Sequence, residues 1–275
     1  NAAQLTLTAY SVAYRRADRT YAAGEATLLN AVTGVTTTQF PFTLLYSTDP
    51  TFQTGVTTRT LTLPAGQATL TVSDLLRTAD GVQPYYYQLT QGNCADPAFT
   101  PDPYADTWTF ETAATHSAAF YAQIHSKLTV LKKVKTLKAS TVGTDETVGK
   151  DYAFTLYTVD AGVATAAAAV TTGTDGKATT DYLPIQDANG PITYYLVEGP
   201  HDGYTVQYPS QSDITVEGAT VSAWPVTLSV AKSTDRSTTP VYNLQNKWQL
   251  LLRKRQASGG TTNLAGAKIA VYTET

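Results

Sequence analysis

The sequence predicts an all-β chain made of tandem β-sandwich domains, and three observations lead there. Charged residues are 15% of the chain, well under the usual quarter. Thr, Ala, Val and Tyr dominate, with 18 tyrosines, which is the composition of half-buried strands. Alternating runs of strand length recur with turn signals between them. A chain of 275 residues also holds about two domains of ordinary size.

A weak internal repeat orders these runs and sets the expected boundaries. Phe40 to Leu44 reads as an alternating strand and is echoed by Tyr152 to Leu156. Tyr87 to Gln91 is echoed by Tyr194 to Glu198 at a similar distance downstream. Between them lies a turn and a strand in each copy: Leu63 to Leu70 in the first, and Thr174 to Thr180 in the second. The Asp175-Gly176 pair in the latter is a strong turn signal. Leu250 to Lys254 repeats the pattern of Leu128 to Lys132, and Asn263 to Tyr272 reads as the strand after it. The expected organisation is residues 1–126 as one sandwich, 127–246 as a second, and 247–275 as the first strands of a third. Two strands do not make a stable sandwich by themselves. His125-Ser126 and Asn246-Lys247 are the linker candidates, short enough to make a stiff rod. Ser73 to Thr78 reads as one helical turn at most. Ala113 to Ala122 is ambiguous between helix and strand, and neither carries weight.

Composition and motifs exclude several function classes. A formal net charge of −3 provides no broad basic field, so nucleic acid is not an expected partner. Cys94 is the sole cysteine, so no intramolecular disulfide staples the fold. No apolar run reaches 18 residues, and the chain opens at Asn1 without methionine or a signal-like segment. It therefore reads as a processed or excised piece with no membrane span, its targeting and anchoring segments lying outside it. His116, His125 and His201 sit in no nucleophile motif. Neither a cysteine pair nor a spaced histidine pair marks a metal site. No cofactor is expected, and no turnover enzyme. Cys94 near Gln91 has the wrong order and spacing for a thioester and reads as a plain thiol. Tyr85 to Tyr87 and Trp108 could stack on sugar rings, but alternating core positions explain them more simply.

Three residues spread through the second repeat carry the chemistry. Lys132, Glu198 and Asn243 each end or interrupt a strand-like run, where a long buried polar side chain is costly. Converging in an apolar core, they can join lysine to asparagine covalently, with glutamate as proton shuttle. Desolvation lowers a lysine pKa and raises a glutamate pKa, which yields a neutral amine and a carboxylic acid. The nearest rivals are Lys133 and Asn246, because a shift of one residue in register inverts the face. Asn243 precedes Lys254 by 11 residues, the interval expected where one domain's last strand runs into the next domain's first.

These residues resemble the Cna B-type and SpaA-like domains of Gram-positive surface proteins and sortase-assembled pilins. The resemblance rests on the first-strand lysine, the Phe-Thr-Leu strand, and Asp175-Gly176 followed by Leu183-Pro184. Tyr194 to Glu198 followed by Gly203-Tyr204 completes it, and Asn263 to Ala267 is similar to the second-strand signature of the same family. It covers residues 127–275 well and 1–126 loosely. It implies prealbumin- or immunoglobulin-type sandwiches and an autocatalytic isopeptide bond between Lys132 and Asn243, with Glu198 as the catalytic acid. Lys254 would be the crosslink lysine of the third module. It further implies an extracellular, cell-wall or pilus location and a role as pilin shaft subunit or adhesin stalk. The partners would be other pilin subunits or cell-wall peptidoglycan joined through sortase. The other reading is a ligand-binding adhesin whose first module contacts host surface protein or glycan.

The first module departs from this pattern. No lysine occurs between Asn1 and Ser126, Gln91 stands where the glutamate should be, and Tyr121 or Ala122 where the asparagine should be. A Lys–Asn bond there is excluded, since arginine does not act as the nucleophile. Some related surface domains join a first-strand Thr to a last-strand Gln as an ester, and Thr6 or Thr8 with Gln123 beside His125 would supply those parts.

Overall fold

The computed structural model describes residues 1–32, 38–137 and 144–246, and the expected third segment with Lys254 lies outside them. In the first half the longer strands are β1 (Ala2–Val12), β2 (Phe40–Ser47), β3 (Thr57–Leu63), β4 (Thr69–Leu76), β5 (Tyr86–Gln91) and β6 (Ala105–Thr109). β7 (Thr115–Leu137) passes through both halves. The second half adds β8 (Thr144–Val148), β9 (Ala153–Asp160), β10 (Val163–Thr171), β11 (Thr193–Glu198), β12 (Tyr204–Gln207), β13 (Ser212–Val216), β14 (Ala219–Thr227) and β15 (Val241–Gln245).

Each half is a pair of sheets closed over apolar residues. In the first, the antiparallel sheet β3-β2-β5-β6 faces a sheet in which β1 lies between β4 and the front of β7. In the second, the antiparallel sheet β10-β9-β11-β14-β13 faces one in which β15 lies between β12 and the back of β7. The first and last strands of each half run parallel, β1 with β7 and then β7 with β15. Leu5, Leu7, Phe42, Leu44, Leu89 and Phe120 fill the first core, and Val130, Phe154, Leu156, Leu196 and Val241 the second. The sequence repeat is a repeat of register: Phe42 pairs with Gln91 across β2 and β5, and Phe154 with Glu198 across β9 and β11.

The junction differs from expectation. His125 and Ser126 form no linker, because β7 is one strand of 23 residues, about 75 Å of extended chain. Its alternation never breaks. Ala118, Phe120, Ala122 and Ile124 face the first core, and Leu128, Val130 and Lys132 the second. Ser126 is buried between them and bonds Thr234 Oγ1 at 3.1 Å. Backbone bonds hold both sides of the passage, His125 N–H to the Ala98 carbonyl and Lys127 N–H to the Lys232 carbonyl. Lys232 Nζ also reaches Asp96 Oδ2 at 2.5 Å, which ties the two halves together. Neither segment weighed as helical is a helix: Ser73–Leu76 belongs to β4, and β7 includes residues 115–122.

Candidate crosslink site

Strand parity decides which lysine enters the second core. Leu128, Val130, Lys132 and Val134 point inward from β7, as alternation requires. Lys133 points outward to Glu146 at 2.5 Å, and the Lys135 ammonium lies over the Tyr242 ring. The same rule places Asn243 beside buried Val241 on β15, whereas Asn246 lies exposed beyond it and bonds Thr205 Oγ1. Glu198 follows Tyr194 and Leu196 on the inward face of β11. The rivals Lys133 and Asn246 are thus solvated residues.

The structure brings Lys132, Glu198 and Asn243 together. Lys132 is 0% exposed and Asn243 1%, and the Glu198 side chain is 2% exposed. Lys132 Nζ donates to Glu198 Oε2 at 2.5 Å, and Asn243 Nδ2 donates to Glu198 Oε1 at 2.6 Å. One carboxylate therefore spans the amine and the amide nitrogen. Burial pushes the lysine down to about 8 and the glutamate up, desolvation outweighing their mutual attraction in each case. Both shifts favour the neutral pair.

The surroundings hold the lysine without hydrating it. The ammonium lies 5.0 Å from the Tyr152 ring centroid and 6.0 Å from that of Phe154. Gly149 packs on its stem and Gly176 on its backbone: a Cβ at Gly149 would stand 2.4 Å from Lys132 Cγ, and one at Gly176 2.7 Å from the Lys132 carbonyl oxygen. Gly176 also has φ +74°, the left-handed conformation that the Asp-Gly turn requires. Lys132 N–H donates to the Gly176 carbonyl, and Gly149 N–H to the Lys132 carbonyl. Glu198 N–H donates to the Tyr208 hydroxyl at 2.8 Å. Sequence reasoning named the turn but missed Gly149, Tyr152 and Tyr208, since a lone glycine or tyrosine at a strand end has no local signature.

The first core has no such set. Gln91 occupies the place of Glu198, and its Oε1 accepts the Asp102 N–H at 2.7 Å. The strand position facing inward is Ala122, while Tyr121 stacks outside on Tyr10. A non-covalent cluster sits nearby: buried Asp102 takes Arg19 Nη1 at 2.6 Å and the N–H groups of Tyr104 and Tyr121. Arg19 Nη2 reaches the Ala119 carbonyl, and its guanidinium stacks 3.7 Å from the Tyr104 ring centroid. The ester pairing is not assembled. Thr6 and Thr8 face away from the core, and Thr8 lies opposite Ala119, whereas Gln123 lies opposite Val12 and bonds Arg15 N–H. Four residues of register put Thr8 and Gln123 about 13 Å apart along the strands.

Other groups weighed in the sequence have ordinary surroundings. His116 stacks on Trp108 and meets Asp106 at 2.8 Å, and His201 packs on Tyr152. Burial raises the Cys94 thiol pKa, and its Sγ lies 3.3 Å from the Asp96 carbonyl. Among the described residues no cluster of three His, Cys, Asp or Glu could hold a metal ion, and no helix is long and apolar enough to cross a membrane.

No family model matches the chain, and no curated protein does. Solved structures of similar outline exist. The shaft pilin SpaA from Lactobacillus rhamnosus GG is 14% identical, with 91% of this chain and 100% of that one covered and a TM-score of 0.35. GBS52, the minor pilin of Streptococcus agalactiae, is 15% identical over 92% of this chain and 100% of its own, with a TM-score of 0.28. A streptococcal ancillary pilin is 14% identical over 89% and 62%, with a TM-score of 0.29. Likenesses at these scores carry no functional weight, and the site rests on its own geometry.

Proposed function

We propose that this chain is a structural cell-surface protein, a pilin shaft subunit or adhesin stalk, stabilised by an autocatalytic isopeptide bond between Lys132 and Asn243. The buried Lys132–Glu198–Asn243 arrangement supports this reading most directly. A proton passes from Nζ to Glu198 Oε2 and leaves a neutral amine. That amine attacks Asn243 Cγ, and a tetrahedral intermediate forms. Glu198 then relays a proton from Nζ to Nδ2, the Cγ–Nδ2 bond breaks, and ammonia departs. The reaction occurs once per chain, so the protein is not a turnover enzyme. In this reading residues 1–126 and 127–246 are successive modules that share β7, and residues 247–275 open a third whose crosslink lysine is Lys254. Other pilin subunits, or peptidoglycan through sortase, are its partners outside the cell. A folded chain whose mass is lower than its sequence by one ammonia supports the bond, and the unmodified mass refutes it.

One observation favours a second reading, a ligand-binding adhesin. A cleft of about 470 Å³ in the first half is lined by Phe52, Tyr86 and Trp108. Aromatic side chains lining a cleft suit a glycan. Glycan-array binding that is lost in Phe52→Ala would support that reading.

A further inference from the structure

The ladder between β11 and β14 stops one pair short of the acid. Its last pair is Leu196 with Trp224, and residues Ala219 to Ala223 of β14 pair with β13 instead. Backbone N–H groups alternate sides along a strand, and Gly199 N–H donates to the Ala153 carbonyl on the β9 side. The Glu198 N–H therefore points to the other side, where β14 no longer accompanies the strand. A shielded N–H left there without an acceptor is costly.

Tyr208 fills that gap. Its hydroxyl accepts the Glu198 N–H at 2.8 Å. Tyr208 is buried and follows directly on β12, the strand beside the one that carries Asn243, with Val206 opposite Asn243. Tyr204, Val206 and Tyr208 share the parity that faces the core. One side chain thus reaches from the sheet of the amide to the acid in the facing sheet. The carboxylate itself bonds only the two groups that it serves, Lys132 Nζ and Asn243 Nδ2. Among the described residues no third side chain orients it, so its place is set through its backbone.

We propose that Tyr208 is a positioning residue of the crosslinking reaction, its hydroxyl pinning Glu198 at the end of β11 so that the carboxylate stays between the amine and the amide nitrogen. This rests on the reading that Lys132 and Asn243 become joined. Tyr208 forms and breaks no covalent bond in that reaction and acts through Glu198 alone. Burial holds the Glu198 carboxyl above its ordinary range, against the pull of Lys132, Asn243 and His201. Tyr152 and Tyr208 are the other titratable groups that face it. Loss of the tie frays the strand end and lets water reach the carboxyl, which brings its pKa down.

The test follows ammonia loss by intact mass in the full chain after a short isotopic labelling pulse, across pH, for the parent and Tyr208→Phe. The expected result is crosslinking slower by about 10²-fold, the effect of a small misplacement of a reacting group, with the acid limb of the pH profile moved to lower pH. Hydrogen exchange in a Lys132→Ala background, which cannot crosslink, should show the Tyr208→Phe chain still folded, so that a smaller folded population does not account for the slower rate. Crosslinking at the parental rate overturns the proposal, and so does a slower rate with the acid limb in its parental place. A second half that no longer folds in that background marks Tyr208 as packing and overturns it as well. A parent that keeps its ammonia sinks the underlying reading instead, so the two failures are distinguishable.

Discussion

Replacing Glu198 with Gln separates crosslinking from packing. The carboxamide has nearly the shape of the carboxylate. It still accepts the Asn243 N–H and donates to a neutral Lys132 amine, so both contacts of the original survive in altered form. It cannot relay a proton, and the crosslink should not form. The bond closes a loop of about 110 residues, which is worth about 5 kcal/mol if a disulfide is a fair analogue. Whole domains are stable by about 5–15 kcal/mol, so the loss is large. At about 3–5 °C per kcal/mol for a unit of this size, the second half should melt about 15–25 °C lower. The two halves need not unfold together, so hydrogen exchange followed by mass spectrometry on peptides from β15 and β1 should report each separately. Protection in β15 should fall, while that in β1 stays. The reasoning fails if Glu198→Gln still loses ammonia. It fails equally if the variant keeps its ammonia yet matches the parent in stability.

Crosslinking should follow a bell in pH. Below the raised Glu198 pKa the carboxyl is already protonated and cannot take the lysine proton. Above about 8 the pair has lost that proton to solvent, so the acid is missing and the rate falls. Pulse-labelled chains followed across pH by intact mass test this, and a rate still rising well above pH 8 contradicts it. Gly149→Ala should cost about 1–3 kcal/mol through overpacking, because its Cβ meets Lys132 Cγ at 2.4 Å. Lys132→Ala should remove the Lys132 share of that cost and leave the share from the Tyr152 ring, 3.0 Å from the same Cβ, and a double-mutant cycle on urea midpoints measures that coupling. Asp102→Ala should destabilise the first half by about 3–5 kcal/mol, since Arg19 and two backbone N–H groups lose their acceptor. Exchange in β1 and the front of β7 reads the change, and an unaltered β1 would show the cluster to be idle.

Alternation was the most legible signal in this sequence. The inward parity of Lys132, Glu198 and Asn243 is the parity of their apolar neighbours in β7, β11 and β15. The linker error arose from weighting two polar residues, His125 and Ser126, over an alternation that continues through them. Ser126 is tolerated there because Thr234 satisfies its hydroxyl. The cluster of Arg19, Asp102 and Gln91 was not legible, since its members lie 11 to 83 positions apart and no strand period links them. Gly149 and Tyr152 are local to neither Lys132 nor Asn243, and their closeness follows from a register that the sequence does not print.

The most direct measurement is tandem mass spectrometry of a tryptic digest of the folded full chain. The account predicts a branched peptide, lighter by one ammonia, in which the segment containing Lys132 is joined to the segment containing Asn243, and which is absent from Glu198→Gln. Separate linear peptides carrying an unmodified Lys132 and an unmodified Asn243 would contradict it.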